Sequence, residues 1–234
     1  MSEDTLATDQ QYDTVFWDIG GVIVELRSIR EGYAAFISEL AADHGMDPEA
    51  ALDEWKSALG DHFKAADGTE YQSAHEGYRK ATTELFEGDP PDDWELILEE
   101  ATAATLRAED GAVEAIEALH DAGIQQAIVS DIDTAEAHDM LDSFGIHDCF
   151  DHITTSEEVG YKKPNARMFR NALDGTGADP DRTVMVGDRH RNDIAGAAEV
   201  GINTVGYGED AWGPETDHEI EDLREILDIV GVKR

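Results

Sequence analysis

The amino-acid sequence predicts an α/β protein, a doubly wound parallel sheet that carries an inserted all-helical domain. From about Gly111 onward, short apolar segments alternate with segments whose apolar residues recur at helical spacing. This alternation is typical of a parallel sheet covered by helices on both faces. Between about Arg27 and Arg107, by contrast, helical spacing prevails and no segment has the character of a strand.

Strands are predicted at short apolar runs bounded by polar or turn residues. In chain order these runs are TVFW, IQQAIVSD, FDHITTS, RTVMVGD and INTVGY. Helices are predicted between the later strands, over GAVEAIEALHDAG, DTAEAHDMLDSFG, NARMFRNAL and NDIAGAAEVG. A closing helix is predicted over residues 216–230, TDHEIEDLREILDIV.

The helical insertion separates the first strand from the second. Its helices are predicted over IREGYAAFISELAADHG, DPEAALDEWKSALG, TEYQSAHEGYRKATTELFEG and PDDWELILEEATAATLR, with Asp-Pro and Gly-Asp-Pro-Pro turns between them. We therefore predict an α/β core from residues 1–26 and 108–234, and a helical domain from residues 27–107. The name helical insertion is used below for residues 27–107.

The formal net charge is −37, from 54 acidic and 17 basic residues in a chain of 234. Such a chain is repelled by nucleic acid and by anionic membrane surfaces, so neither is predicted as a partner. The acidic residues are spread along the whole chain, which is typical of a surface adapted to very high salt, where screening removes the self-repulsion. The composition therefore predicts the cytoplasmic protein of a halophile.

The single cysteine, Cys149, cannot form an internal disulfide, which fits a reducing compartment. Its acidic surroundings, IHDCFDHI, disfavour a thiolate, so a buried structural cysteine is predicted rather than a nucleophile. No apolar run approaches the roughly 20 residues needed to span a bilayer. The sequence therefore predicts no membrane partner.

Polar residues follow the predicted strands where each strand ends. They are Asp18, Ser130, Asp131 and Asp188, and Lys163 lies just before the helix that follows the weak third strand. Because ligands bind at the carboxyl ends of the strands in doubly wound sheets, these side chains are expected to converge. Carboxylates suit Mg²⁺, an aspartate can form an aspartyl-phosphate, and a lysine can neutralise a phosphoryl group.

Four segments resemble, in order, the motifs of the haloacid dehalogenase-like (HAD) hydrolase superfamily. They are VFWDIGGVIV, AIVSD, YKKPNARMF and VMVGDRHRNDIAGA. The helical insertion is similar to the C1-type cap of the phosphoglycolate-phosphatase-like branch. The resemblance extends from about Tyr12 to Val230, and it implies a Rossmann-like core beneath that cap.

The resemblance implies a role for each matching residue. Asp18 would be the nucleophile that attacks phosphorus and a ligand of Mg²⁺, and Gly20 would offer its backbone carbonyl to the metal. Asp188 would be the second metal carboxylate, and Asp193 would support the metal, through water.

The resemblance also implies a phosphate-binding set. Ser130 would donate a hydrogen bond to the phosphoryl oxygens, helped by backbone N–H groups near Gly21 and Asp131. Lys163 would stabilise the charge on Asp18 and on the phosphoryl group.

The first motif departs from the usual pattern, since the second aspartate of Asp-x-Asp is replaced by Gly20 and the common threonine by Val22. General acid assistance of the kind that aspartate provides contributes about 10²–10⁴-fold in rate. The sequence therefore predicts a variant phosphatase that acts on a good leaving group or uses a replacement acid from the cap. Mutase activity, which depends on the second aspartate, is not expected.

Other functions remain open. One is 2-haloacid dehalogenation through Asp18 without a metal, although Asp188 and the lack of a recognisable halide cradle speak against it. Another is a protein without catalytic activity that binds a phosphorylated ligand or a protein partner. The leading prediction is a Mg²⁺-dependent phosphatase of a small phosphorylated metabolite, either monomer or homodimer.

Several of these residues also have ordinary structural explanations. Ser130 or Asp193 could cap a helix, His190 could be a solvated loop residue, and Lys162 could lie on the surface. Trp17 is expected to pack against the sheet. Four aromatic residues of the helical insertion are expected to form its core, with one or two lining a pocket: Trp55, Phe63, Tyr71 and Tyr78.

Overall fold

A computed structural model describes residues 11–86 and 88–233. Within these ranges the chain forms one parallel sheet of six strands in the order β3-β2-β1-β4-β5-β6. The strands are β1 Thr14–Trp17, β2 Gln125–Ser130, β3 His152–Thr155, β4 Thr183–Gly187, β5 Asn203–Tyr207 and β6 His218–Ile220. The predicted doubly wound parallel sheet is confirmed.

The order of the strands reverses at β1, which pairs with β2 on one side and with β4 on the other. Trp17, the last residue of β1, pairs with Ile128 of β2 and with Val186 of β4. The residues that follow these three strands therefore lie together at one edge of the sheet. This edge is the topological switch point, where open α/β sheets bind their ligands.

Helices connect the strands and cover the sheet. They are α1 Leu26–His44, α2 Pro48–Lys64, α3 Ala74–Leu85, α4 Trp94–Thr105, α5 Ala112–Asp121, α6 Thr134–Ser143, α7 Ser156–Val159, α8 Ala166–Thr176, α9 Ala195–Glu199 and α10 Glu225–Val230. Helices α1 to α4 lie between β1 and β2, and no strand of the sheet falls among the described residues of that segment. This is the position of the predicted helical insertion.

The helical insertion has a hydrophobic core of its own. Phe36, Ile37 and Leu40 form an apolar stripe on α1, and they pack with Trp55 of α2 and with residues of α3 and α4. Trp55 is fully buried, and its indole N–H donates a hydrogen bond of 3.1 Å to the hydroxyl of Thr82. Because its polar atom is satisfied, Trp55 serves this core and is not a pocket residue.

The two connections to the helical insertion run side by side. The backbone N–H of Glu25 donates to the carbonyl of Arg107 at 3.0 Å, and Val24 forms an antiparallel bridge with Ala108. The Arg107 guanidinium also lies 2.8 Å from the carboxylates of Glu25 and Glu31. The chain therefore leaves the core and returns to it at the same point.

Trp17 packs against the sheet as expected and is fully buried. Its indole N–H donates to the side chain of Gln126 at 3.1 Å, and the amide of Gln126 donates to the carbonyl of Ile116 at 3.0 Å. These bonds connect β1, β2 and α5, so the strand that ends at Asp18 is held in a fixed position.

Two predicted helices were placed wrongly. The closing helix over residues 216–230 is instead β6 followed by the short α10, because residues 218–220 pair with the open edge of β5. The third insertion helix begins at Ala74 rather than near residue 69, since the Ser73 hydroxyl accepts from the N–H of Glu76 and caps it there. In the parts of the chain that the structure covers, no helix has both the length and the apolar character to cross a membrane.

Candidate active site

Asp18 directly follows β1 at the switch point, where its carboxylate is buried. Its Oδ1 atom accepts hydrogen bonds of 2.8 Å from the backbone N–H of Ile19 and from the Ser130 hydroxyl. The same oxygen lies 2.8 Å from the Nζ atom of Lys163. Since no described residue donates to Oδ2, that oxygen is available to a ligand.

Lys163 is buried beneath the carboxylates, with its Nζ atom also 2.7 Å from Oδ1 of Asp193. Burial by itself would lower the pKa of Lys163, but the negative charges of Asp18, Asp193 and Asp131 outweigh it and raise the pKa. The backbone N–H of Lys163 donates to Asp131 at 2.7 Å. The side chain is therefore an ammonium group held in place by the loop after β2.

Asp18, Asp188 and Asp193 form an acidic cluster in which one oxygen from each lies within 4.8 Å of the others. Burial raises the pKa of Asp188 to about 7, and the charge of Asp18 adds to the effect. The buried Oδ1 atom of Asp188 has no hydrogen-bond donor among the described residues. Three carboxylates with an unsatisfied oxygen suit a hard divalent cation such as Mg²⁺, so the residues present fit the predicted metal.

Gly21 and Gly20 differ in what surrounds them. Gly21 has φ +85°, and a Cβ atom there would collide with the carboxylate of Asp188. At Gly20 a Cβ atom would meet only Leu26, at 3.3 Å. Glycine is therefore required at position 21 by the approach of Asp188, whereas a Cβ atom at position 20 needs only a small shift of the end of the Leu26 side chain. The carbonyl of Gly20 as a metal ligand stays a prediction.

Asp193 lies in a π-helical turn, His190–Ile194, directly after β4. Its Oδ2 atom accepts a hydrogen bond of 3.0 Å from the N–H of Arg189, and its Oδ1 atom faces Lys163. A Cβ atom at Gly187 would collide with the Asp193 side chain, so this glycine, which sequence reasoning missed, allows the approach. The alternative that Asp193 caps the following helix is wrong.

Ser130 does not cap a helix either, because its hydroxyl donates to Asp18 and the cap position of α6 is Asp133. The predicted phosphate-binding residues Gly21, Asp131 and Lys163 all lie beside Asp18 or Asp188. The structure therefore brings the predicted residues together, while their roles toward a substrate stay predictions.

Two residues lie outside the candidate site. The imidazole of His190 is half-buried, and its Nε2 atom lies 2.9 Å from the carboxylate of Glu215, so this histidine contacts a neighbouring side chain rather than solvent alone. Cys149 is half-buried rather than buried, and burial together with the charge of Glu117 raises the pKa of its thiol. As predicted, these surroundings disfavour a thiolate.

A cavity of about 230 Å³ opens over Asp18 between the core and the helical insertion. The aromatic residues of the insertion that line it are Tyr33, Phe63, Tyr71 and Tyr78. The basic residues that line it are Lys162, Lys163 and Arg189, and Lys162, which was expected at the surface, is half-buried. Gly20 and Glu136 also face this cavity.

The helical insertion contacts the core at both sides of this cavity. Residues 69–71 run antiparallel to residues 160–162, with the N–H of Lys162 donating to the carbonyl of Thr69 at 2.7 Å and that of Tyr71 to Gly160 at 3.1 Å. The insertion is therefore bonded to the segment that leads directly into Lys163.

Asp133, in the loop between β2 and α6, makes the second contact. Its carboxylate accepts hydrogen bonds from the hydroxyls of Tyr71 and Ser73, at 2.8 Å each. It also accepts from the backbone N–H groups of Ala74 and His75, at 2.9 and 3.1 Å. Sequence reasoning missed Asp133, because an aspartate directly before a helix reads as the cap of that helix, whereas this one caps α3.

The model of the haloacid dehalogenase-like hydrolase family matches residues 12–201 of the chain. This match covers most of the sequence, including the strand ends that carry the acidic cluster. The chain belongs to the haloacid dehalogenase-like hydrolase family, and the resemblance found in its four motifs is confirmed.

Several relatives of known sequence are named as phosphatases. The chain is 35% identical over 121 residues to the glyceraldehyde 3-phosphate phosphatase of Methanothermobacter thermautotrophicus, across 47% of this chain and 54% of that protein. It is 33% identical over 181 residues to the ribulose-1,5-bisphosphate 5-phosphatase of Halopiger xanaduensis, across 68% of this chain and 74% of that protein. Its matches to several such relatives span only about 54–60% of their length.

The fold is also shared with solved structures. The HAD phosphatase from Thermococcus onnurineus superposes with a TM-score of 0.73 at 24% identity, over 95% of this chain and 99% of that one. At this identity the likeness establishes the fold alone, a parallel sheet with a helical insertion after its first strand.

Proposed function

We propose that the protein is a Mg²⁺-dependent phosphatase that acts on a small phosphorylated metabolite through an aspartyl-phosphate on Asp18. The observation that carries the proposal is the bonding of Asp18, whose Oδ1 atom is held by Ser130 and Lys163 while Oδ2 has no donor among the described residues. The phosphatase names of the relatives support the reaction class. A cytoplasmic setting at high salt belongs to the proposal, as does a monomer or homodimer.

In the proposed reaction, Oδ2 of Asp18 attacks phosphorus, the bond from phosphorus to the leaving oxygen breaks, and the phosphoryl group is carried on Asp18 until water releases it. The Lys163 ammonium stabilises Asp18 and the equatorial phosphoryl oxygens, and the Ser130 hydroxyl helps to orient them. Mg²⁺, held by Asp18 and Asp188 with Asp193 in support, would neutralise charge on the phosphoryl group.

The leaving oxygen has no acid at position 20 to protonate it. The missing assistance corresponds to about 10²–10⁴-fold in rate for a poor leaving group. We therefore infer that the enzyme prefers esters whose leaving group departs readily, or takes a proton from another group that lines the cavity.

The first experiment measures the hydrolysis of acetyl phosphate, p-nitrophenyl phosphate and a panel of metabolite phosphates in molar KCl. The panel includes glyceraldehyde 3-phosphate, pyrophosphate and ribulose 1,5-bisphosphate, and each assay is run with Mg²⁺ and with a chelator. We expect turnover that requires Mg²⁺ and is lost in Asp18→Asn. The matched control is Asp142→Asn, an exposed aspartate on α6, which should behave like the wild type.

Other outcomes identify the alternatives. Chloride release from a 2-chloroacid without Mg²⁺ would make the protein a dehalogenase. Stabilisation of the fold by phosphorylated compounds, without any turnover, would leave a phospho-ligand-binding protein.

A further inference from the structure

The cavity over Asp18 adjoins a second, larger one. The second cavity measures about 580 Å³ and lies between α1, α3 and α4 of the helical insertion and α6 of the core. The two cavities share the lining residues Ile29, Tyr33, Tyr78, Asp133, Glu136 and Met140. A leaving group attached to a phosphoryl group at Asp18 would therefore lie against the residues that the two cavities share.

The two cavities differ in charge. The basic residues that line the first, Lys162, Lys163 and Arg189, adjoin the candidate phosphoryl and metal residues in the chain. The second cavity is lined by five carboxylates and by no lysine or arginine: Glu99, Asp133, Glu136, Asp139 and Glu157. A negatively charged group would meet repulsion there, and the one histidine of the lining, His75, already lies 3.1 Å from the carboxylate of Glu95.

Glu136 lies where the two cavities meet. The Tyr78 hydroxyl interacts with it, and Tyr78 is hydrogen-bonded to the Tyr33 hydroxyl at 2.7 Å. Glu136 forms no ion pair with any described residue, and burial, followed by the charge of Asp133, raises the pKa of its carboxyl to about 7. A desolvated carboxylate of this kind gains most from a ligand that donates hydrogen bonds to it.

Asp133 and Glu157 are already occupied, because Asp133 holds the start of α3 and Glu157 accepts from the N–H of Thr134 at 2.7 Å. Glu136 is thus the carboxylate at the junction that remains for a ligand.

We infer that the substrate's leaving group occupies the junction of the two cavities, donates hydrogen bonds to Glu136, and carries no second negative charge. The inference rests on the proposed phosphatase function. The substrate class is then a phosphate monoester whose leaving group carries hydroxyl or ammonium groups and no second anionic group, and Glu136 is the specificity-determining residue.

Two matched pairs of esters test the inference at pH 8 in molar KCl with Mg²⁺. Glycerol 3-phosphate and 3-phosphoglycerate differ in a hydroxymethyl group against a carboxylate, and phosphoethanolamine and phosphoglycolate differ in a protonated aminomethyl group against a carboxylate. We expect kcat/KM of the wild type to favour the uncharged or ammonium member by at least about tenfold, since a buried like charge costs more than 1.4 kcal/mol. The pair of esters that shows the larger preference indicates whether the site recognises a hydroxyl or an ammonium group.

Glu136→Gln keeps the size of the side chain and removes its charge. We expect the preference to fall by about tenfold, through a lower KM for the carboxylate esters with kcat nearly unchanged. Asp142→Asn, on the same helix and outside both cavities, should leave the preference unchanged. A purely structural role of Glu136 would change all four esters alike, and that result would overturn the inference.

A binding measurement separates this inference from the proposed function. Thermal unfolding of Asp18→Asn with Mg²⁺ reports the stabilisation by each of the four esters without any turnover. Stronger stabilisation by the uncharged and ammonium members supports the inference even if the wild type hydrolyses nothing. Stronger stabilisation by the carboxylate members, or none by any of the four, overturns it, whatever the wild type hydrolyses.

Discussion

The Oδ2 atom of Asp133 accepts a hydrogen bond of 2.8 Å from the hydroxyl of Ser73, which joins a loop of the α/β core to the first turn of a helix in the insertion. The first N–H groups of a helix have no partner within that helix. In α3, those of Ala74 and His75 are satisfied by Asp133. The position of α3 over the cavity therefore depends on a core carboxylate.

Asp133→Ala should destabilise the protein by about 2–4 kcal/mol, because it leaves two N–H groups and two hydroxyls without an acceptor. Ser73→Ala, which removes one donor and a local cap, should cost only about 1 kcal/mol. Urea unfolding in molar KCl measures both values. Hydrogen exchange at residues 74 and 75 should accelerate in Asp133→Ala, and equal losses of stability in the two variants would contradict the assigned role.

Gly20→Asp should increase the turnover of phosphate esters with poor leaving groups by about 10²-fold or more, because a Cβ atom at position 20 meets only the flexible end of the Leu26 side chain and the new carboxyl would supply the missing general acid. Steady-state kinetics on alkyl and aryl esters measures the effect, which should be small for acetyl phosphate. Gly20→Ala is the control for added bulk. Gly21→Ala should abolish activity, since its Cβ atom would displace Asp188.

Asp188→Asn should raise the melting temperature measured with a chelator, because it removes one of the three clustered carboxylates and its buried charge. With Mg²⁺ the wild type should instead have the higher melting temperature. A ligand present at 100 times its Kd stabilises the protein that binds it by about 2.7 kcal/mol, and we expect the variant to bind Mg²⁺ poorly. Differential scanning calorimetry with and without Mg²⁺ makes the comparison. A variant that gains as much stability from Mg²⁺ as the wild type would exclude Asp188 as a ligand.

Glu136→Gln should be more stable than the wild type at pH 8 and lose that advantage toward pH 5. The pKa of Glu136 is raised from 4.5 to about 7 by burial, so between these values the folded protein binds a proton that the unfolded chain has released. The stability that this proton gives to the folded wild type is present at low pH and is lost as the pH rises through 7. The advantage at pH 8 should be about 1–3 kcal/mol. Urea unfolding from pH 5 to 8 measures it, and a difference independent of pH would contradict the assignment.

The sheet could be predicted because its strands are short apolar runs that end in polar residues. Val15 and Trp17 pack on one face and Phe16 on the other, so the three residues of β1 that lead to Asp18 are all apolar. The same pattern placed Asp18, Ser130 and Asp188 at the carboxyl ends of neighbouring strands, and these residues do lie together. The closing helix was mispredicted because helical spacing over residues 216–230 does not reveal that an open sheet edge is nearby to recruit residues 218–220.

Asp133 and Glu136 could not have been assigned from the sequence. Both lie at the start of α6, where acidic residues are common for local reasons. Their significance comes from contacts with the helices of the insertion, which are distant from them in the sequence. No local sequence pattern encodes how those helices are placed over the core. The start of α3 at Ala74 likewise depends on a core residue.

The side-by-side connections at Glu25 and Arg107 have a consequence for how the protein can be altered. The two ends of the helical insertion are already bonded to each other, at the spacing of an antiparallel pair, about 4.5–5.5 Å between Cα atoms. A tight turn could bridge them, and we expect the sheet to assemble without the residues between. In topological terms those residues are one enlarged hairpin loop, and a loop of another length or fold could be grafted there without shifting the strands that hold Asp18, Ser130 and Asp188.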